Sequence, residues 1–75
     1  MSPKLPADIK PKQAVKVLIR MGFEPQEQRG SHLRLKHPKG PWTQIPMHSR
    51  PIPVGTLSKI LRDAEVDINT FLENL

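Results

Sequence analysis

The feature that most restricts this chain is where its prolines and glycines fall. Pro25, Gly30, Pro38, Gly40, Pro41 and Pro46 interrupt residues 23–47 at short intervals. A proline inside a helix removes an N–H donor and clashes with the carbonyl one turn back, at a cost of about 3 kcal/mol. No long helix can cross this stretch, and what the interruptions leave is alternation. His32-Leu33-Arg34-Leu35-Lys36-His37 sets Leu33 and Leu35 on one face and His32, Arg34 and Lys36 on the other. Trp42-Thr43-Gln44-Ile45-Pro46-Met47 groups Thr43, Ile45 and Met47, and Pro38-Lys39-Gly40-Pro41 between the two runs is turn chemistry. Phe23 to Arg29 predicts a third strand, confined by Pro25 to an edge or a strand start. Matching apolar residues sets Leu35 opposite Ile45, Leu33 opposite Met47 and, on the other face, His32 opposite His48.

The flanks read as helices. Pro11 suits a first turn. Val15, Leu18 and Ile19, with Ala14 beside them, form an apolar stripe, and Gly22 is a stop, so a helix is expected over 11–21. After the stiff connector Arg50-Pro51-Ile52-Pro53, Thr56 is the expected N-cap of a second helix carrying Leu57, Ile60, Leu61 and Ala64. Gly55-Thr56 lacks the further glycines and lysine of a phosphate-binding loop, so plain capping is favoured there. Asp67 then caps a short last helix with Ile68, Phe71, Leu72 and Leu75. The order predicts an α+β fold: a three-stranded antiparallel sheet with helices packed on one face, plus a short C-terminal helix. Residues 1–10, with Pro3 and Pro6, read as an extended lead-in to a single domain over 11–75. A 75-residue chain has no room for a second core and buries only about 60% of its unfolded surface, which favours a partner.

The charge is unevenly spread. All 12 Lys and Arg lie in residues 1–62, against Asp8, Glu24 and Glu27; residues 63–75 hold Asp63, Glu65, Asp67 and Glu73 and no base. Gly30 to Arg50 contains no carboxylate, but Arg34, Lys36, Lys39, Arg50 and all three histidines. This is a footprint for a polyanion such as nucleic acid, or a solvated basic surface. No apolar run reaches the roughly 18–20 residues of a membrane span, and MSPKLPADIKPK lacks the apolar core of a signal peptide, so the cytoplasm is expected. Zero cysteines excludes disulfides, thiolate metal sites and thiol nucleophiles. Phe23, Trp42 and Phe71 are too few for a binder built from many stacking platforms. Trp42 can stack a base, sit over a basic side chain, or simply pack beside Pro41.

His32, in Arg29-Gly30-Ser31-His32, begins a strand after a tight bend. Imidazole exchanges a proton near neutrality. RNA carries its own nucleophile, the 2′-OH, so cleavage needs a base, an acid for the leaving 5′-oxygen, and cations for the phosphorane-like charge. His32 with Arg34, Lys36 and the accessory candidate His48 makes that set without a metal or other cofactor. The alternative is a wet strand-end histidine, the commoner fate of an isolated motif. His48 serves equally as a turn residue before Ser49-Arg50, and His37, on the Leu33/Leu35 face, as a packing residue. The three histidines match no common zinc spacing. Ser31 and His32 are strand neighbours and point apart, so Ser31 is no triad nucleophile; it is an accessory candidate that can donate to a phosphate or to its own turn.

Gly22-Phe23, Arg29-Gly30-Ser31-His32, Ile45-Pro46-Met47-His48, Gly55-Thr56-Leu57 with Ile60-Leu61-Arg62, and Phe71-Leu72 together resemble the HicA (YcfA-like) toxins, from about Leu5 to Leu75. The resemblance implies a double-stranded-RNA-binding-domain-like α-β-β-β-α fold. It implies a type II toxin acting as a metal-independent mRNA interferase, with His32 catalytic and translation and growth inhibited. It also implies a HicB antitoxin that covers the active face. Arg29, Arg34, Lys36 and Lys39 would then hold RNA phosphates. The alternative is a non-catalytic RNA-binding module on the same scaffold. The chain departs from the family in having Glu65 where Gly is frequent, in the stiffening Pro51 and Pro53, and in Lys10-Pro11 in place of a small polar helix start.

Overall fold

The computed structural model describes residues 4–75. The chain runs α1 (Pro11–Arg20), β1 (Glu24–Arg29), β2 (His32–Lys36), β3 (Trp42–Pro46), α2 (Val54–Asp63) and α3 (Ile68–Glu73). The strands form one antiparallel sheet in the order β1-β2-β3. This is the expected α+β architecture, consistent with a double-stranded-RNA-binding-domain-like arrangement. Leu35, Thr43 and Ile45 point to one face and are buried with Val17 and Leu18 of α1, Leu57, Ile60 and Leu61 of α2, and Phe71 of α3. His32, Arg34, Lys36, Trp42 and Gln44 are exposed on the other. The helices therefore cover one side of the sheet and leave the other to solvent.

Leu5 and Ile9, ahead of α1, are also buried in this core, and the Ile52 N–H donates to the Ile9 carbonyl at 2.7 Å. The segment before α1 and the connector before α2 are thus pinned together, with Ile52 fully buried between two exposed prolines.

The β2–β3 register differs from the one expected. Leu33 faces Ile45, Leu35 faces Thr43, and His32 faces Pro46 in place of His48. The turn decides this. The His37 N–H donates to the Pro41 carbonyl at 2.8 Å, the Gly40 N–H to the His37 carbonyl at 2.9 Å, and Gly40 takes φ 120°. This is a three-residue loop closed by a positive-φ residue. The expected register would have to close on Pro38, which has no N–H to give. The slip is two residues, so every side chain keeps its face.

Two helices end in the same way. After α1, Phe23 N–H bonds the Leu18 carbonyl (2.9 Å) and Gly22 N–H the Ile19 carbonyl (3.0 Å), with Gly22 at φ 99°. After α2, Val66 N–H bonds Leu61 (2.9 Å) and Glu65 N–H bonds Arg62 (3.1 Å), with Glu65 at φ 57°. Both are Schellman ends, and the second places a non-glycine residue in the left-handed region. α1 runs to Arg20, with Met21 as its C-cap. α2 starts at Val54 with Pro53 at the N-cap, so Thr56 stands one turn inside the helix and caps nothing. The backbone is already helical from Val54, directly after the extended Pro53 (φ −55°, ψ 143°), and a residue with helical neighbours on both sides cannot serve as the N-cap. Asp67 does cap α3, its carboxylate accepting from the Thr70 N–H at 3.3 Å.

Candidate active site on the open face of the sheet

The β1–β2 connection is the two-residue turn Gly30-Ser31, which closes the Arg29/His32 pair. Gly30 has φ 57° and Ser31 does not share its positive φ, the pattern of a type II′ hairpin turn. His32 follows at once, exposed, at the first position of the central strand. The Met47 N–H donates to the Ser31 carbonyl, extending the ladder past Pro46. The Gly-Ser-His and Pro-Met-His segments, at residues 30–32 and 46–48, thus meet at one end of the sheet.

The three histidines have different surroundings. His37 is half-buried, edge-on to Phe23 at 5.1 Å between ring centres, and its Nδ1 accepts from the Lys39 N–H at 3.0 Å. It is the packing residue its alternation suggests. His48 is exposed, with Nδ1 3.1 Å from the Arg50 carbonyl. A carbonyl only accepts, so Nδ1 is the donor in this contact. His32, in contrast, has no hydrogen-bond partner for its ring among the described residues. It lines a hollow with Trp42, Gln44 and Pro46 of β3 and Thr56, Lys59 and Asp63 of α2.

The cations are divided between the ends of the sheet. Arg29 pairs directly with His32 and bonds Glu27 through Nε at 3.2 Å, both side chains largely exposed. Arg34 and Lys36 share the open face, where a second hollow is lined by Gln26, Glu27, Arg29, Arg34, Lys36 and Gln44. The carboxylate-free segment therefore folds beside the carboxylates of β1. Lys39 lies at the β2–β3 turn, at the far end of the sheet from His32, among Phe23, His37, Pro41 and Glu65. Lys59 takes the place sequence reading gave to Lys39: it reaches the His32 hollow from α2, bonded to Asp63 at 2.9 Å. Helical periodicity puts Thr56, Lys59 and Asp63 on one stripe, but only the packing of α2 against β3 brings that stripe to the histidine. Thr43 anchors this packing, its buried hydroxyl donating to the Ile60 carbonyl at 3.0 Å.

The arrangement can hold an extended polyanion and offer it one imidazole. Among the described residues, no three His, Cys, Asp or Glu side chains come together as a metal-binding group, and no helix is long and apolar enough to cross a membrane.

Comparison with curated protein sequences gives no significant match. Residues 11–66, from the first turn of α1 through the Schellman end of α2, match the profile described as HicA toxin of bacterial toxin–antitoxin systems. That span contains the whole sheet, His32, the Gly30-Ser31 turn and the helix that supplies Lys59. The chain belongs to the HicA toxin family.

Proposed function

We propose that this toxin is a metal-independent endoribonuclease that cuts mRNA with His32 as a proton-transfer group. The observation that carries the reading is the single exposed imidazole with free ring nitrogens, standing at the end of a cationic sheet face in a HicA chain. Acting as base, His32 takes the proton of a 2′-OH. The resulting alkoxide attacks the adjacent phosphorus, the P–O5′ bond breaks, and the leaving 5′-oxygen takes a proton from water while the His32 imidazolium returns its own to solvent. The products are a 2′,3′-cyclic phosphate and a 5′-hydroxyl. Lys59 and Arg29 balance the charge that builds on the phosphorane oxygens, and Arg34 and Lys36 extend the phosphate track along the strand. Ser31 is free to donate to a phosphate oxygen, and His48, one residue past Met47 at the same end of the sheet, is the accessory proton carrier. Lys39 serves the RNA only where it passes the far turn.

As a toxin of a toxin–antitoxin pair, the chain has an antitoxin as its partner. A HicB-like protein lying over the open face would exclude RNA and neutralise the toxin in the cytoplasm. A second reading is a non-catalytic RNA-binding module. It is favoured by one observation: His48 is turned to the Arg50 carbonyl, and no second imidazole lines the His32 hollow. Incubating the purified protein with single-stranded RNA in EDTA separates the two. Cyclic-phosphate products are expected. Binding without cleavage at every pH near neutrality would establish the second reading.

A further inference from the structure

Trp42 stands out on the open face. It is 49% exposed, although β3 has a buried side available to an apolar ring. The Arg34 guanidinium lies 4.6 Å from its ring centre, held from the neighbouring strand. The ring borders the hollow that contains His32, and also a second hollow with Lys39, Gly40, Pro41, Asp63 and Glu65. α2 runs beside β3 so that Thr56 is at the Pro46 end and Asp63 at the Trp42 end. Trp42 and Pro46 are four residues apart on one strand face, about 13 Å at strand rise. The groove therefore has a histidine at one end, an aromatic plate at the other, and Gln44 and Lys59 between.

Resting on the ribonuclease reading, we propose that Trp42 is a positioning residue: it stacks an unpaired base of the substrate beside the nucleotide cut at His32, which selects single-stranded RNA. Stacking accepts any base and depends on the base being splayed from a duplex. The Arg34 guanidinium fixes the ring's orientation through its π face and keeps a positive charge beside the passing phosphate. Gln44 offers a donor and an acceptor, and Asp63 an acceptor, to the edge of a base seated there. Asp63 is already bonded to Lys59, which offsets its repulsion of phosphate.

Trp42 is the single tryptophan and there is no tyrosine, so protein emission reports this ring alone. The His32→Ala variant, titrated with a short single-stranded RNA, should show quenched emission tracking binding measured independently by anisotropy of labelled RNA. A strand of the same length made entirely of abasic units should bind without the quench. Trp42→Ala should weaken binding of intact RNA about tenfold or more, with Trp42→Phe restoring most of it, and in proteins retaining His32 the same pattern should appear in KM. RNA binding with unchanged emission, or unchanged affinity in Trp42→Ala, would overturn the stacking role and leave the ribonuclease reading standing. Absence of RNA binding by anisotropy would overturn both. Normal RNA binding by Trp42→Ala combined with loss of neutralisation by the antitoxin would assign the ring to the protein interface and overturn the proposal.

Discussion

At Glu65, a single side chain occupies a left-handed conformation, φ 57°, that glycine adopts freely. The α2 Schellman end forms regardless, so its hydrogen bonds outweigh a backbone cost of about 1–2 kcal/mol. Glu65→Gly should therefore stabilise the protein by about 1 kcal/mol, offset in part by greater freedom of the unfolded chain. Chemical denaturation would register this as a higher midpoint with unchanged slope. Gly22 is the opposite case. It has φ 99°, and a Cβ there would meet His37 Nε2 at 2.9 Å. Gly22→Ala should cost about 2 kcal/mol in the same experiment. Both positions are visible in sequence, as a helix-stopping glycine and as its replacement. The contact with His37 is not, because it depends on how the hairpin turn folds back on α1.

At the scale of elements, alternation identified the strands and which face each residue takes, but not the register. A slip of two residues preserves every face, so the apolar pattern is blind to it. The loop decides, through a proline that cannot donate and a glycine that can turn. The consequence reaches the site: His32 faces Pro46, and His48 lies beyond the strand, engaged with Arg50. Lys59 was equally illegible, since its proximity to His32 comes from docking α2 on β3. The Thr43 hydroxyl to Ile60 carbonyl bond is one fixed point of that docking. Thr43→Val keeps the shape and removes the donor, while the Ile60 carbonyl retains its helical partner, Ala64 N–H at 3.0 Å. A loss of about 1 kcal/mol is expected by thermal denaturation, with a larger proportional fall in RNA affinity than in stability if Lys59 is displaced.

For the whole molecule, one face of a three-stranded sheet is buried in the core and the other is open to solvent. Arg29, Arg34, Lys36 and Lys59 line the two hollows along the open face. Four phosphate contacts to a single strand predict a log–log salt slope of about −3. A flat salt response would argue for a protein ligand in place of RNA. So small a domain is also sensitive to its partner. Antitoxin at 100 times its Kd should add about 2.7 kcal/mol, which for a domain this size raises Tm by roughly 10–20 °C. Proton transfer by His32 during RNA cleavage is tested by the His32→Ala protein, assayed for RNA cleavage and growth arrest beside the unaltered toxin. Loss of both activities is expected, with an unchanged melting transition, because the exposed ring makes no hydrogen bond among the described residues. Cleavage or toxicity retained in the variant would contradict it.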